Sequence, residues 1–284
     1  MKRLLFCLAL LIFLQAVPGS AIIAIAARPE EVPEETEVPI IMYHSLLEKR
    51  TNEWNIFPNA FERDLAYLAE NGYTTVGITE LIDHVYRGAS LPEKPIVLTF
   101  DDGYYNNYSQ GMPLLEKYDM KIVLAVIGTN SDHWTAHADE IDERYGHLTW
   151  PQIAQMAATG RVELANHTNN LHKNEGGRKG CKMKAGEDEA AYRELIARDL
   201  ETLQARIEQL GIDRPQCFVY PFGAHCSKAD EVLVELGFKA TLSCASGMNR
   251  LRVGDESSLW KMKRNNRTPE TSVEEILNRL QTDT

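Results

Sequence analysis

The sequence has a shortage of positive charge. It contains 30 Lys and Arg residues against 41 Asp and Glu residues, which gives a formal net charge of −11 at pH 7. Residues 1–27 hold two basic and no acidic residues, so their removal takes the charge to −13. Nucleic acids and anionic membrane surfaces are bound through basic patches. We therefore expect no nucleic-acid partner, and no membrane contact beyond the N-terminal segment.

Cysteine is also scarce, with five residues in a chain of 284. Cys7 lies in an N-terminal apolar stretch, and the spacing of the other four matches no zinc module. These four are Cys181, Cys217, Cys226 and Cys244. An oxidising exterior permits one or two disulfides, and we predict Cys217 with Cys244 as the first pair because both lie on predicted strands. Free thiols are the alternative.

A Gly-rich phosphate loop is missing after the first predicted strand, Pro39–His44, where the sequence continues as HSLLEKR. A doubly wound nucleotide-binding fold needs such a loop at that position. The sequence also contains no internal repeat and no sign of a second domain. Beyond residue 39, about seven or eight strands alternate with helices, and Leu259–Met262 is the last of these predicted strands. The alternation predicts an α/β barrel of parallel strands rather than an open sheet. Residues 131–147 are polar and are predicted to form a surface insertion.

The N-terminus has the pattern of an export signal. Lys2 and Arg3 precede an apolar run, Leu4–Val17, and small residues follow. We predict cleavage after Ala26 or Ala27, although the apolar stretch is also long enough to stay in the bilayer as an anchor. The protein is thus expected to be exported, and either secreted or anchored on the outer side of the cytoplasmic membrane in a bacterial cell envelope.

The predicted organisation has three parts. Residues 1–27 are a signal peptide or membrane anchor, residues 28–38 are a linker rich in Pro and Glu, and residues 39–284 are one folded domain. We expect this domain to be a monomer.

A pair of carboxylates stands where a buried strand ends. The predicted strand Ile96–Phe100 is followed directly by Asp101, Asp102 and Gly103. Adjacent carboxylates raise each other's pKa unless a cation lies beside them, so this pair indicates a metal site. A solvated Asp-Gly turn is the alternative, and the pair alone does not decide between the two.

Other chemically capable side chains follow other predicted strands. His44 ends the first one, and the segment NHTNNLH, with His167 and His172, follows Val162–Ala165. In a parallel barrel the carboxyl ends of the strands share one face, so these groups converge on the carboxylates. Two imidazoles and one carboxylate form a three-ligand set that leaves a position open for water, as in catalytic metal sites. Taken singly, His167 or His172 is better explained by an ordinary surface or core role, and only the combination indicates a metal site.

Several motifs in consistent order resemble one family. They are TFDDG (Thr99–Gly103), HTNNLH (His167–His172) and YPFG (Tyr220–Gly223), with IIMYHS near the start and LTWPQIAQMAATGRVELANHT in the middle. Together they resemble the polysaccharide deacetylases of carbohydrate esterase family 4, which share the NodB homology domain, over residues 39–284. The histidine spacing is similar to that of the exported poly-N-acetylglucosamine deacetylases. The resemblance implies a distorted (β/α)7 barrel, similar to a TIM barrel.

The resemblance also implies roles for individual residues. Asp102, His167 and His172 would bind one divalent metal ion, with zinc expected and cobalt, nickel, manganese or iron as alternatives. Asp101 would be the general base. Physical reasoning gives the same division, since one carboxylate must stay free to take a proton while the other neutralises the ion. A backbone N–H near Tyr220 would stabilise the oxyanion.

Two departures from the family pattern concern the rest of the site. Many members use a late histidine as the general acid, but no histidine follows His225 here, and His44 is the candidate in its place. Val219 stands where many relatives have an arginine that orients the catalytic aspartate, and Arg264 is the candidate substitute. A structural role is the alternative for His44.

The YPFG segment is the expected substrate contact, with simple packing at a strand end as the alternative. The residues predicted to bind substrate are Tyr220, Pro221 and Phe222.

The function that follows is removal of N-acetyl groups from an N-acetylglucosamine-containing extracellular or cell-wall polysaccharide. One alternative is an O-deacetylase of acetylated xylan or a similar ester. A second alternative is a catalytically silent glycan-binding relative. The presence of both aspartates and both histidines favours an enzyme.

Overall fold

A computed structural model of the protein describes residues 35–49 and 52–282. The predicted signal or anchor segment 1–27 and the linker residues 28–34 lie outside the described residues. The strands are β1 (Glu35–Val38), β2 (Ile40–Tyr43), β3 (Ser45–Leu46), β4 (Asn55–Ile56), β5 (Thr74–Thr75), β6 (Pro95–Phe100), β7 (Ile122–Val126), β8 (Val162–Asn166), β9 (Asn174–Glu175), β10 (Arg178–Lys179), β11 (Cys217–Val219), β12 (Ala240–Leu242), β13 (Asn249–Arg252) and β14 (Asn265–Asn266). The α-helices are α1 (Pro58–Glu70), α2 (Ile78–Arg87), α3 (Met112–Tyr118), α4 (Gly128–Ala136), α5 (Trp150–Ala158), α6 (Glu189–Glu208), α7 (Ser227–Glu235) and α8 (Val273–Thr282).

One parallel sheet forms the centre of the domain. Its strand order is β12-β11-β8-β7-β6-β2-β14, and β5 pairs with the start of β6. Each of these pairings is parallel, so the carboxyl ends of the strands lie at one edge. A single bridge between Leu242 and Met262 continues the pairing beyond β12. The sheet is curled into a half-barrel, in agreement with the predicted α/β barrel.

The strands are apolar on both faces because both faces are covered. Every residue of β6 and β7 is buried, which is typical of parallel sheets with helices packed outside them. Along β6, Ile96 and Leu98 pack in a cluster with residues of α1, α3, α5 and α8. Val97 faces the other way, into a second cluster formed with the neighbouring strands and α2. This alternation holds the strand ends rigidly.

The helices alternate with the strands of the sheet, as predicted. Thr149 caps α5, with the Gln152 N–H donating to the Thr149 hydroxyl at 3.3 Å and the Thr149 N–H donating to the Gln152 side chain at 2.9 Å. None of the helices in residues 35–49 and 52–282 has the length and apolar composition needed to span a bilayer.

Two segments differ from the prediction. Residues 131–147, expected as a polar surface insertion, begin inside α4, which is fixed by the Trp150 indole N–H donating to Asp132 at 2.8 Å. Residues 259–262, expected as a strand, contribute only the Met262 bridge, because a 3₁₀ turn occupies Glu256–Leu259.

The end of the predicted linker belongs to the folded domain. β1 pairs with β13 in antiparallel register, with Glu35 opposite Arg252 and Glu37 opposite Arg250. Ion pairs at 2.8 Å and 3.1 Å join these residues across the strands, and Val38 is fully buried. The acidic composition suggested a solvated segment, whereas cross-strand arginines compensate the charge.

The predicted Cys217–Cys244 disulfide is wrong. All four cysteines among the described residues are free thiols. Cys217 pairs with Ala240 in the parallel register of β11 and β12, so Cys244 lies four residues further along the chain. At about 3.3 Å per residue that offset is roughly 13 Å, whereas a disulfide needs Cα atoms within about 7 Å.

Candidate active site

The predicted site residues follow neighbouring strands at the same edge of the sheet. His44 follows β2, Asp101 and Asp102 follow β6, and His167 follows β8. β2 pairs with β6 in a register that sets Tyr43 opposite Phe100, so the first residues beyond each strand are neighbours. The structure therefore brings together groups that are more than 120 residues apart in the chain, from His44 to His167.

Asp102 and two histidines form a compact cluster. The Oδ1 atom of Asp102 lies 3.5 Å from Nε2 of His167 and 3.4 Å from Nε2 of His172. The three potential ligand atoms all lie within 4.8 Å of one another. Asp102 has a left-handed backbone with φ of 70°, and Gly103 follows with φ of 66°. Such backbone strain in a non-glycine residue is stored mainly at functional sites, and here it turns the carboxylate toward the imidazoles.

His167 is oriented by the strand beside it. Its Nδ1 atom lies 2.8 Å from the carbonyl oxygen of Val219, so Nδ1–H donates there and the Nε2 lone pair faces Asp102. Burial lowers the pKa of His167, but Asp102 and Asp101 raise it by more, so its net direction is upward. The pocket therefore favours a positive charge next to its carboxylates.

The residues of this cluster fit a divalent metal ion. Oδ1 of Asp102 is buried and has no hydrogen-bond partner among the described residues. Burial raises the pKa of Asp102, but His167, His44 and His172 lower it by more, so this carboxyl is ionised. Burial and the neighbouring His167 lower the pKa of His172 to about 4, which leaves its imidazole neutral. An anionic oxygen without a partner between two imidazoles is a donor set for zinc or a similar ion.

Asp101 forms a buried ion pair with Arg264. The Nη1 and Nη2 atoms of Arg264 donate to the two carboxylate oxygens at 2.7 Å and 2.9 Å. The Nε–H of Arg264 donates to the carbonyl oxygen of Ser243 at 2.8 Å, and the arginine is 0% exposed. Burial raises the pKa of Asp101, but Arg264, His167 and His44 lower it by more. Asp101 is thus an ionised carboxylate in a fixed orientation, and each oxygen keeps a lone pair for a further proton.

His44 lies beside the two carboxylates. Burial lowers its pKa by more than Asp101 and Asp102 raise it, so its net direction is downward. Its Nδ1 atom is buried without a hydrogen-bond partner within the described part of the chain. The ring packs on Trp54 with 4.7 Å between ring centroids, and the Trp54 side chain is 40% exposed. An imidazole with a free ring nitrogen at the edge of a site can transfer a proton.

The three YPFG residues predicted to bind substrate differ in position. Phe222 is 41% exposed and lies on the His172 ring at 4.4 Å between centroids. Tyr220 is fully buried, and its hydroxyl donates to Asp230 at 2.6 Å. Pro221 is buried as well, against Gly180, where a Cβ atom would lie 2.9 Å from the Pro221 carbonyl oxygen. Only Phe222 exposes its side chain beside the site; Tyr220 and Pro221 support the turn that carries it.

The backbone of this turn narrows the choice of oxyanion donor. The N–H of Tyr220 donates to the carbonyl oxygen of Leu242 at 3.1 Å, and Pro221 has no N–H. Phe222, with a left-handed φ of 58°, carries the next backbone N–H. The backbone N–H of Phe222 is therefore the candidate oxyanion donor near Tyr220.

Sequence reasoning missed several residues around the carboxylates. Tyr104 stacks on His147 at 4.7 Å between centroids, and burial together with Asp102 raises the pKa of the Tyr104 phenol. Trp54 forms the wall beside His44. Tyr104 adjoins the Asp-Asp-Gly motif and could have been found there, whereas Trp54 and His147 lie in irregular segments without a periodic pattern.

Comparison with known proteins agrees with this geometry. A family model for polysaccharide deacetylase matches residues 88–241, more than half of the chain. The chain belongs to the polysaccharide deacetylase family. A poly-beta-1,6-N-acetyl-D-glucosamine N-deacetylase of Escherichia coli (strain K12) is 30% identical over 231 residues, which cover 73% of this chain and 34% of that protein. The chain thus spans about a third of the length of that curated relative.

Solved structures of deacetylases share the fold of this family member. A de-N-acetylase from Aggregatibacter actinomycetemcomitans superposes with a TM-score of 0.71 at 25% identity, covering 86% of this chain and 99% of that one. IcaB from Ammonifex degensii superposes with a TM-score of 0.68 at 25% identity, covering 82% and 92%. The distorted (β/α)7 barrel expected from the sequence is confirmed.

Proposed function

We propose that this chain is a metal-dependent N-deacetylase that removes acetyl groups from an N-acetylglucosamine polymer outside the cytoplasm. The observation that carries the proposal is the position of the Asp102 Oδ1 atom between the Nε2 atoms of His167 and His172, without a hydrogen-bond partner in residues 35–49 and 52–282. The second carboxylate, Asp101, lies beside them and is held by Arg264. The polymer is proposed from the names of the relatives, and export from the N-terminal pattern of the sequence.

The residues divide into ligands and proton-transfer groups. Asp102, His167 and His172 would hold the ion, which we propose to be zinc. When bound, such an ion supplies Lewis acidity for the acetyl carbonyl and for water. Asp101 takes the proton of the attacking water, and His44 gives a proton to the departing amine nitrogen. The Phe222 N–H and the exposed Phe222 ring contact the acetyl group and the sugar.

An amide substrate explains the presence of a proton donor better than an ester does. An amine leaves poorly unless its nitrogen is protonated, whereas the alkoxide of an ester departs with less help. His44 has a buried ring nitrogen without a partner among the described residues and lies next to both carboxylates. This position supports N-deacetylation over the xylan-type O-deacetylation.

Removal of metal is the direct test of the proposed function. Purified protein treated with dipicolinate is expected to release acetate from β-1,6-linked N-acetylglucosamine oligomers at the background rate, and added Zn²⁺ or Co²⁺ restores release. Activity is lost because the chelator removes the ion that Asp102, His167 and His172 would hold, and with it the Lewis acidity that the ion would supply. Acetate is measured enzymatically, with acetylated xylan assayed in parallel. Full activity after chelation would refute the metal role, and retention of oligomers without acetate release would favour a glycan-binding protein.

Substitution of His44 tests the proton donor. His44→Asn is expected to lower kcat on the amide oligomer by about 10²-fold, with a much smaller change on 4-nitrophenyl acetate, whose leaving group needs no proton. The pKa of His44 lies below its ordinary value because of burial, so native activity on the amide falls as the pH rises through the region below about 6.5. The variant loses this pH dependence.

The matched control is His137→Asn, at the half-buried residue that directly follows α4, for which kcat stays unchanged on both substrates. Equal losses for His44→Asn on the amide and on the activated ester would contradict a role in protonating the leaving group.

A further inference from the structure

The loop between the two candidate histidine ligands, residues 168–171, lies outside the strands, and hydrogen bonds at each of its ends fix its backbone. Thr168 has a left-handed backbone with φ of 73°, and its N–H donates to the Asn166 side chain at 2.9 Å. The Leu171 N–H donates to the Thr168 hydroxyl at 3.2 Å. These bonds shape both ends of the loop, while its two central amides, of Asn169 and Asn170, point elsewhere.

Both central amides donate to one carboxylate on α6. The Asn169 N–H donates to Oδ1 of Asp199 and the Asn170 N–H to Oδ2, each at 2.8 Å. Asp199 is only 9% exposed. Burial raises its pKa to about 6 in spite of the two N–H donors, so burying this carboxylate carries an energetic cost. A helix carboxylate that binds consecutive amides through separate oxygens sets the loop at a fixed distance from α6.

The opposite side of the loop rests on the start of α4. The Gly128 N–H donates to the Thr168 carbonyl oxygen at 3.2 Å, and the Thr129 N–H donates to the Asn169 carbonyl oxygen at 2.8 Å. A Cβ atom on Gly128 would lie 2.1 Å from Oδ1 of Asn169 and 3.2 Å from its Cα. The loop is thus confined between α4 and the Asp199 carboxylate.

His172 depends on this loop more than His167 does. His167 is fixed by its bond to the Val219 carbonyl oxygen. The His172 ring contacts Asp102, His167 and the exposed ring of Phe222, and its side chain is 21% exposed. These ring contacts are with other residues of the site, so the position of His172 also depends on the backbone that precedes it.

We propose that Asp199 is a positioning residue that fixes the loop 168–171 and thereby the separation between the His167 and His172 imidazoles. The part of this inference that concerns metal affinity rests on the proposed function, whereas the part that concerns loop order does not. Asp199 touches no reacting atom; it acts through Asn169 and Asn170.

The Asp199→Asn variant keeps the size and shape of the side chain but removes its negative charge and one acceptor oxygen. One amide oxygen still accepts a loop N–H, but the amide NH₂ then faces the other N–H, so one bond is lost. Asp199→Glu keeps the carboxylate and displaces it by one methylene, and it serves as the second variant if the first does not fold. The matched control is Glu201→Gln on the same helix, a surface residue paired with Arg214.

Two readouts on the purified full chain test the inference. In metal-free protein, amide hydrogen exchange at Asn169 and Asn170 is expected to be about tenfold faster in Asp199→Asn, with β8 unchanged. Competition with a chromophoric chelator is expected to show about 10- to 100-fold weaker Zn²⁺ binding, and the visible spectrum of the Co²⁺-loaded variant changes because the ligand geometry changes. For Asp199→Glu we expect exchange rates and a Zn²⁺ affinity between those of the native chain and those of Asp199→Asn. For Glu201→Gln we expect both quantities to equal those of the native chain.

The outcomes are distinguishable from a failure of the proposed function. If the native chain binds no Zn²⁺, the proposed function is wrong, and the exchange rates alone then decide whether Asp199 fixes the loop. If the native chain binds Zn²⁺ and Asp199→Asn retains native affinity and native exchange at the two asparagines, the positioning role is overturned. Uniformly faster exchange through β8 and α6, with native Zn²⁺ affinity in the refolded fraction, would also overturn it.

Discussion

Replacement of Asp101 by Asn is expected to lower kcat on the N-acetylated oligomer by about 10³- to 10⁴-fold, with Zn²⁺ affinity close to that of the native chain. An amide cannot accept the proton of the attacking water, whereas the geometry of the side chain is nearly preserved. Asp101 lies outside the proposed ligand set of Asp102, His167 and His172, so binding of the ion depends on it only through charge. Loss of rate without loss of metal is therefore the signature of a general base.

The substitution also leaves Arg264 buried beside a neutral partner. Breaking one side of a buried ion pair costs about 3–5 kcal/mol of stability, so kcat must be expressed per folded, metal-loaded molecule. Thermal unfolding and bound Zn²⁺ are measured on the same sample. Asp83→Asn, which changes an exposed aspartate paired with Arg87 on α2, is the control and keeps native kcat. An Asp101→Asn protein that turns over within about threefold of native, a difference under 1 kcal/mol, would show that another group takes the proton.

Much of this site could be predicted because the ends of buried strands can be recognised in a sequence, where a short apolar run gives way to polar residues. The run Ile96–Phe100 is apolar and short, and Asp101 and Asp102 follow it at once. A second short predicted strand, Val162–Ala165, ends just before His167. In a parallel sheet all such ends meet at one edge, so chain order alone brings the carboxylates and the imidazole together without any knowledge of side-chain contacts.

Side-chain direction was harder to predict than position. Tyr220 follows β11 as His167 follows β8, yet its ring turns into the cluster beneath α6 and α7 while Phe222 turns outward. The strand ends at Val219, and the left-handed backbone of Phe222 turns this side chain away from the core that buries Tyr220. The motif YPFG therefore located the turn but not the residue that faces the site.

Residues whose roles depend on contacts with distant parts of the chain could not be recognised from the neighbouring sequence. Asp199 lies among the buried residues of α6, beside Ile196 and Leu203, and the sequence does not indicate that its carboxylate accepts hydrogen bonds from the loop 168–171. The predicted Cys217–Cys244 pair failed for a similar reason, since strand register decides whether two thiols can meet. Arg264 follows the predicted strand Leu259–Met262, of which the structure shows only a single bridge at Met262, yet its guanidinium contacts Asp101 as predicted from the sequence.

Arg264 is the residue whose loss should disturb both stability and rate. Its guanidinium donates to both oxygens of Asp101, and its Nη1 also donates to the Thr99 hydroxyl at 3.2 Å. Arg264→Met is expected to lower the free energy of unfolding by about 3–5 kcal/mol at neutral pH, because Asp101 is then a buried charge without its main partner. It is also expected to lower kcat by about 10²-fold, since the carboxylate loses its fixed orientation.

The pH dependence of stability and of kcat/KM distinguishes the loss of the fixed Asp101 orientation from the loss of the Arg264 charge. In the native chain Arg264, together with His167 and His44, outweighs the effect of burial and keeps the pKa of Asp101 below its ordinary value, so the carboxylate stays ionised throughout the working range. Without Arg264, burial raises that pKa, and the acidic limb of kcat/KM moves to higher pH. The stability deficit of the variant is largest at neutral pH and shrinks as the pH falls, because protonation of Asp101 removes the unpaired buried charge.

Arg264→Lys provides the comparison that makes this prediction specific. Lysine keeps a positive charge but not the planar two-point contact, so the acidic limb stays near its native position while kcat remains reduced. Arg250→Met, which removes an exposed arginine of β13 paired with Glu37, changes stability by less than about 1 kcal/mol. Denaturant unfolding from pH 4 to 8 and kcat/KM profiles measure both effects. An Arg264→Met protein with native kcat and an unmoved acidic limb would mean that Asp101 holds its orientation and charge without the arginine.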